Sequence, residues 1–172
     1  MSDAADRATL NALGRLKYHD PVAVLRNFRH VETRLPNNTP DPIKHLRTNG
    51  LKRWREYREA ALFCYGISRR LNRPIYFNLD ESADHDFVAM WEDTGVRRFA
   101  PVQLKELVPE QLNKTAAIGG LLQNLVKYSS DKLTVAIHLN RRGAFEPSAL
   151  LIPPLHVAAL WFFWGASQDQ SA

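Results

Sequence analysis

The sequence contains little cysteine and no recognisable secretory leader, and both absences exclude classes of protein. Cys64 is the single cysteine among 172 residues, so no disulfide can form within the chain. Its neighbours in LFCY are apolar, which predicts a small buried residue in a reducing compartment, and therefore a cytoplasmic protein. The first ten residues lack a basic stretch followed by an apolar one, so secretion is not expected.

A long uninterrupted apolar run is also missing. The longest apolar region, LLIPPLHVAALWFFWG, contains Pro153, Pro154 and His156, and a membrane-spanning helix needs about 20 apolar residues. We therefore expect no membrane association. Residues 141–172, which include this region, are predicted to form a C-terminal apolar strand or helix. The aromatic run Trp161 to Trp164 predicts either a core strand or the contact surface of a homodimer.

Charge is distributed unevenly along the chain. The net charge of +5 results from 23 Lys and Arg against 18 Asp and Glu. Residues 1–74 hold fifteen of these cations and seven of the acids, a net of +8, whereas residues 75–172 carry a net of −3. The basic first part can face a polyanion such as DNA, or it can be a solvated, arginine-rich helical surface.

The order of predicted elements indicates an α/β protein of one domain, residues 1–172. Residues 1–35 are predicted to form an N-terminal helical extension, with helices at about 4–17 and 21–29; Asp20 caps the second. A long helix at about 51–71 precedes three strands, with Asp93, Thr94 and Gly95 as a tight turn before the third. A helix at about 109–128, weakened by Gly119 and Gly120, and the strand LTVAIHLN follow.

Three polar residues are predicted to meet at one end of the sheet. Side chains alternate along a strand, so Gln103 and Lys105 share one face. A hairpin through the turn brings Asp86, at the start of the neighbouring strand, beside that pair. An aspartate and an amide oxygen bind hard cations, and a lysine can orient a water or neutralise developing charge. These groups indicate metal-assisted phosphodiester hydrolysis.

The sequence resembles the PD-(D/E)xK nuclease superfamily at these residues. Asp86 is followed seventeen residues later by Gln103-Leu104-Lys105, within an order of helix, three strands, helix and strand. His85 stands where the family often has proline. The family's first core helix contributes a glutamate, and Glu59 matches that place best, with Glu56 as second choice. The resemblance covers about residues 51–140, the nuclease-like core.

The resemblance implies a fold, a cofactor and an activity. The fold would be restriction-endonuclease-like, a central mixed sheet of about four to five strands flanked by helices, with extra N-terminal helices. The activity would be an endonuclease that cuts DNA with Mg²⁺ or Mn²⁺. The implied catalytic residues are Lys105, Asp86 and Gln103, and the implied metal ligands are Asp86, Gln103 and Glu59, with the Leu104 carbonyl.

One departure from the family pattern leaves a second hypothesis open. Gln103 replaces an acidic residue, and Glu106 alternates to the opposite face, where it cannot substitute for it. The chain is therefore alternatively a catalytically inactive nuclease-fold module that binds nucleic acid or a protein partner. Glu59 can instead form an ion pair on its own helix, and His138 is expected to be a satisfied core histidine rather than a base.

Nucleic-acid contacts are predicted for a cluster of cations interleaved with aromatic residues. In the segment KRWREYR the cations can grip phosphates while Trp54 and Tyr57 stack on bases or on arginines. The alternative is that the rings pack inside and only the charges are exposed. The candidate phosphate-binding residues are Lys52, Arg53, Arg55, Arg58, Arg97 and Arg98.

Overall fold

The computed structural model describes residues 2–79, 85–141 and 145–165. The helices are α1 (Ser2–Gly14), α2 (Pro21–Glu32), α3 (Asp41–Lys44), α4 (Lys52–Leu71) and α5 (Ile118–Gln123). The strands are β1 (Tyr76–Asn78), β2 (Phe87–Asp93), β3 (Val96–Leu107), β4 (Ser129–Leu139) and β5 (His156–Phe163).

The strands form one five-stranded mixed sheet in the order β1-β2-β3-β4-β5. β1 pairs with β2 antiparallel, whereas β3 with β4 and β4 with β5 are parallel. The expectation of an α/β chain with a mixed sheet of four to five strands flanked by helices is confirmed. The restriction-endonuclease-like fold and the single domain stay predictions. The chain divides into two compact units, Met1–Pro101 and Val102–Ala172.

Helix α2 begins where the sequence predicts. The Asp20 side chain accepts a hydrogen bond from the Val22 N–H at 2.9 Å, and Pro21 occupies the first helical position, which needs no donor. The helix then packs along α4. Helix α4 ends at Leu71, and the following residue, Asn72, has a φ of 48°, the left-handed conformation that commonly terminates helices. Both helix boundaries therefore follow from local chemistry.

Aromatic rings form the core of the first unit. The Phe77 side chain is fully buried, and its ring centroid lies 5.2 Å from that of Tyr57 and 6.2 Å from that of Phe87. Helix α4 contributes buried apolar residues to this unit, among them Phe63 and Cys64. Burial raises the pKa of the Cys64 thiol, so this cysteine is an inert core residue, as its apolar neighbours predict.

Substituting Phe77 by alanine is expected to lower the free energy of unfolding by about 3–5 kcal/mol, because a fully buried phenyl ring leaves a cavity. Urea denaturation followed by circular dichroism measures this change. Tyr76, the neighbouring residue on β1, is 36% exposed, so Tyr76→Ala is the matched control, with a loss below about 1 kcal/mol. Equal losses for both variants would contradict the assignment of Phe77 to the core.

The turn between β2 and β3 contains Thr94 and Gly95, with φ angles of 50° and 78°. Two consecutive positive φ angles are typical of the two-residue turn that matches strand twist, and glycine adopts this conformation without a steric penalty. The prediction of a tight turn at this point is confirmed.

The second unit has its core on one face of β4. Leu133, Val135, Ile137 and Leu139 alternate along the strand, and they pack with Leu122 and Leu125 of the α5 region. The residues between them on β4, including His138, are buried as well. Both faces of this part of the strand are therefore buried, which explains the apolar run in its sequence.

The helix predicted at about 109–128 is wrong in length, because only Ile118–Gln123 forms an α-helix. The Asn113 side chain accepts hydrogen bonds from the backbone N–H groups of Thr115 and Ala116, which favours a turn over a helix. The Arg141 guanidinium also donates to the carbonyls of Val108, Asn113 and Ala116. These hydrogen bonds hold the segment before α5 in its turn conformation.

The C-terminal apolar region forms the edge strand β5, so of the two predicted conformations the strand is correct. Its Phe162 packs against the core of the second unit, and Phe145 contacts the rings of both Phe162 and Trp164. Trp164 is 61% exposed. Homodimerisation through this aromatic segment stays a prediction. Among the described residues, no helix combines the length and apolar character that crossing a bilayer requires.

Candidate metal centre

The carboxyl ends of the parallel strands bring three side chains into one row. Glu106 is the next-to-last residue of β3, and its Cα partner on β4 is His138, also next to last. His138 in turn pairs with Phe163, the last residue of β5. Ligands of α/β sheets bind preferentially at the carboxyl ends of parallel strands, so this row lies at a favourable edge.

Neighbouring groups hold Glu106 and His138 in place. The Asn140 side-chain N–H donates to Glu106 Oε1 at 2.8 Å. The Phe163 ring stacks on the His138 imidazole with a centroid distance of 4.8 Å and an interplanar angle of 9°. His138 is only 4% exposed. The carboxylate and the imidazole are therefore oriented before any ligand arrives, which metal sites require of the groups around their ligands.

Glu106 and His138 form a pair that could hold a metal ion. One oxygen of the Glu106 carboxylate lies within 4.8 Å of a ring nitrogen of His138. Ligand atoms that share one ion at about 2.0–2.2 Å are at most roughly 4.4 Å apart, so a small side-chain shift brings the two into range. A carboxylate and an imidazole are established metal-ligand types.

Gln103 and Lys105 project from the face of β3 opposite to Glu106. Their Cα partners on β4 are Val135 and Ile137, which belong to the apolar cluster with α5. The Gln103 amide donates to the Leu104 carbonyl at 3.3 Å. The Lys105 ammonium lies 5.4 Å from the centroid of the Tyr128 ring, within cation–π range. The two residues share a face, as strand alternation predicts.

The metal ligands that the sequence predicts stay predictions. Glu59 is a buried residue of α4 that is 7% exposed. Asp86 is half-buried and directly precedes β2. The centre that the sequence predicts around Asp86, Gln103 and Lys105 stays a prediction.

The predicted phosphate-binding residues differ in how far they are available. Arg58 forms an ion pair with Glu32 at 3.1 Å, and its side chain is 18% exposed. Lys52 pairs with Glu56 at 3.4 Å while remaining 64% exposed. Arg55 is half-buried. The remaining candidates, Arg53, Arg97 and Arg98, are exposed. Arg58 therefore serves at least in part to join α2 to α4.

Sequence reasoning missed Glu106 and His138 as a pair. It assigned Glu106 correctly to the face away from Gln103, and it considered His138 a core residue. One feature of the sequence could have indicated the pair, because each of the two is the polar residue before the final leucine of its strand. Pairing them requires the register between β3 and β4, which only the tertiary structure shows.

Comparison with known proteins gives no match, because no family model, no curated protein and no solved structure matches the sequence. The similarity to the nuclease superfamily therefore rests on the residues of this chain alone.

Proposed function

We propose that the protein is a metal-dependent endonuclease that hydrolyses phosphodiester bonds in DNA. The observation that carries the proposal is the adjacent pair of Glu106 and His138 at the carboxyl ends of two parallel strands. The pair offers a carboxylate and an imidazole. The reaction class comes from the resemblance to the nuclease superfamily, which rests on the order of elements and on the motif of Asp86, Gln103 and Lys105.

The donor set favours Mn²⁺ over Mg²⁺. Magnesium binds mainly carboxylates and keeps several waters, whereas an imidazole nitrogen suits softer ions of the transition series. When bound, such an ion would polarise a phosphate oxygen and acidify a water. The protein's own contribution is to hold the ligands: Asn140 orients the Glu106 carboxylate, and Phe163 fixes the plane of the His138 ring.

Positive charge in residues 1–74 supports DNA as the substrate. Residues 1–74 carry fifteen Lys and Arg against seven Asp and Glu. Arg53 on α4 and Arg97 and Arg98 on β3 are exposed, so they can contact phosphates without first leaving a buried position. Cys64 is buried and needs no oxidising compartment, which supports the proposed cytoplasmic location.

Incubating the purified protein with supercoiled plasmid tests this function. We expect conversion to nicked and linear forms with Mn²⁺, slower conversion with Mg²⁺, and none with excess EDTA, because the ligands would then hold no ion. Gel electrophoresis over time measures the rate. Cutting that persists in EDTA, or an intact plasmid with every divalent metal tried, would contradict the proposal.

The replacement of an acidic residue by Gln103 favours the second candidate, an inactive module that binds nucleic acid or a protein partner. Gln103 lowers the negative charge available to a cation by one unit, and Lys105 lies against Tyr128 in the structure. Calorimetric titration with Mn²⁺ separates the two functions. Heat of binding that is lost in Glu106→Gln supports the enzyme, whereas no metal binding with intact DNA affinity supports the module.

A further inference from the structure

An exposed aromatic residue of the first unit packs on other aromatic rings. Trp54 is 55% exposed, although aromatic rings in such segments usually pack inside. Its ring contacts Phe28 and Tyr57 with centroid distances of 6.3 Å each. Tyr57 continues inward to the fully buried Phe77 at 5.2 Å. The indole is therefore supported by a continuous series of rings that reaches the core.

The supporting rings do not lie flat on the indole. Phe28 and Tyr57 are inclined to its plane by 78° and 75°, so each makes an edge contact and neither is stacked in parallel. More than half of Trp54 is exposed as well. A planar π system from outside the protein can therefore stack on Trp54 without displacing a neighbour stacked in parallel.

Cations are close to this ring in the sequence. Residues 52–58 hold four Lys and Arg and a single acid, Glu56. Arg58 is engaged by Glu32, but Arg53 is exposed and Lys52 is 64% exposed beside Glu56. An exposed ion pair of this kind is worth little, so a phosphate can replace the carboxylate. A ring with cations beside it fits a ligand that is both planar and anionic.

We propose that Trp54 is a stacking site for an unpaired base of single-stranded nucleic acid, with Arg53 and Lys52 on the flanking phosphates. Bases inside a duplex already stack on each other, so only an unpaired or extruded base offers a free face. The inference deepens the proposed function by naming unpaired bases as the part of the DNA that the protein recognises, and it rests on that function for the choice of DNA over RNA.

Fluorescence anisotropy with a labelled single strand tests the stacking site, with EDTA present so that no cutting occurs. Trp54→Ala is expected to weaken binding by about 5- to 150-fold, the loss typical of one base–aromatic contact. Trp54→Phe, which keeps a stacking ring, retains most of the affinity. Trp164→Ala is the matched control, because Trp164 is 61% exposed but lies outside this cationic segment. We expect this variant to bind the strand with unchanged affinity.

A second comparison uses the unaltered protein and therefore does not depend on the folding of a variant. An abasic strand of equal length carries the same phosphates without bases, and we expect it to bind about 5- to 150-fold more weakly than the intact strand. The duplex of the same sequence is also expected to bind more weakly. Equal affinity for intact and abasic strands, or equal losses in Trp54→Ala and Trp164→Ala, would overturn the inference.

The result is separable from that of the proposed function. A protein that binds the strand through Trp54 and never cuts plasmid with any metal keeps the stacking site and loses the nuclease proposal. A protein that cuts plasmid with Mn²⁺ but binds intact and abasic strands equally keeps the nuclease proposal and loses the stacking site.

Discussion

Substituting Glu106 by glutamine is expected to weaken Mn²⁺ binding by at least about 100-fold and to reduce plasmid cutting by a similar factor. Changes to the groups around metal ligands alone cost 10- to 100-fold in affinity or activity, so loss of a ligand belongs at the upper end of that range or beyond. Glutamine keeps the size of the side chain and its hydrogen-bonding capacity towards Asn140, and it removes the negative charge. Calorimetry measures the affinity.

Glu110→Gln is the matched control for this substitution. Glu110 is exposed and lies four residues further along the chain, so the same chemical change there leaves metal affinity unaltered. Asn140→Ala is expected to have an intermediate effect, about 10- to 100-fold, since it removes the donor that orients the Glu106 carboxylate. Unchanged Mn²⁺ binding in Glu106→Gln would show that the ion, if one binds, lies elsewhere.

The second large effect is expected for Lys105→Ala, which should lower the rate of cutting by about 100-fold and leave Mn²⁺ affinity unchanged. The resemblance assigns this lysine to the attacking water or to the charge that develops on the phosphate, and general catalysts of this kind contribute about 10²–10⁴-fold. Because Lys105 and Glu106 project from opposite faces of β3, this lysine cannot reach an ion held by Glu106 and His138. Loss of cutting would therefore assign the reaction to the centre predicted around Asp86, Gln103 and Lys105, where the ammonium would have to leave the Tyr128 ring. Rates at saturating metal separate this effect from metal binding.

Lys127 provides an unusually close control. Its ammonium lies 5.3 Å from the centroid of the same Tyr128 ring that Lys105 approaches at 5.4 Å. Lys127→Ala therefore removes an equivalent cation–π contact, and it should cut plasmid at the normal rate. Equal cutting by the two alanine variants would assign Lys105 a packing role and would leave Glu106 and His138 as the centre.

Glu106 and His138 also show how much of the site could be predicted from the sequence. Strand alternation correctly separated Glu106 from Gln103 and Lys105, because the side-chain period of a strand is fixed by its backbone. The pairing of Glu106 with His138 was not accessible in the same way. It depends on the parallel register of β3 and β4, which is selected by burying Leu133, Val135 and Ile137 on the other face.

Helix α5 shows a different error, because the predicted helix was longer than the real one. The composition of residues 109–128 favours a helix, yet the first half of this segment forms a turn at Asn113 and accepts hydrogen bonds from Arg141. Asn113 is a local signal that could have ended the prediction earlier. Arg141 lies 28 residues further along the chain than Asn113, so no local pattern contains its contribution.

The amino-acid sequence by itself determined the features that neighbouring residues control: the start of α2 at Asp20, the turn at Thr94 and Gly95, and the burial of Cys64. Each depends on backbone conformation or on apolar neighbours within a few positions. Only the tertiary structure decided that Glu106 meets His138 and that Trp54 remains at the surface. Contacts between distant segments are fixed by how the whole chain buries its apolar area, and no short stretch of sequence encodes that outcome.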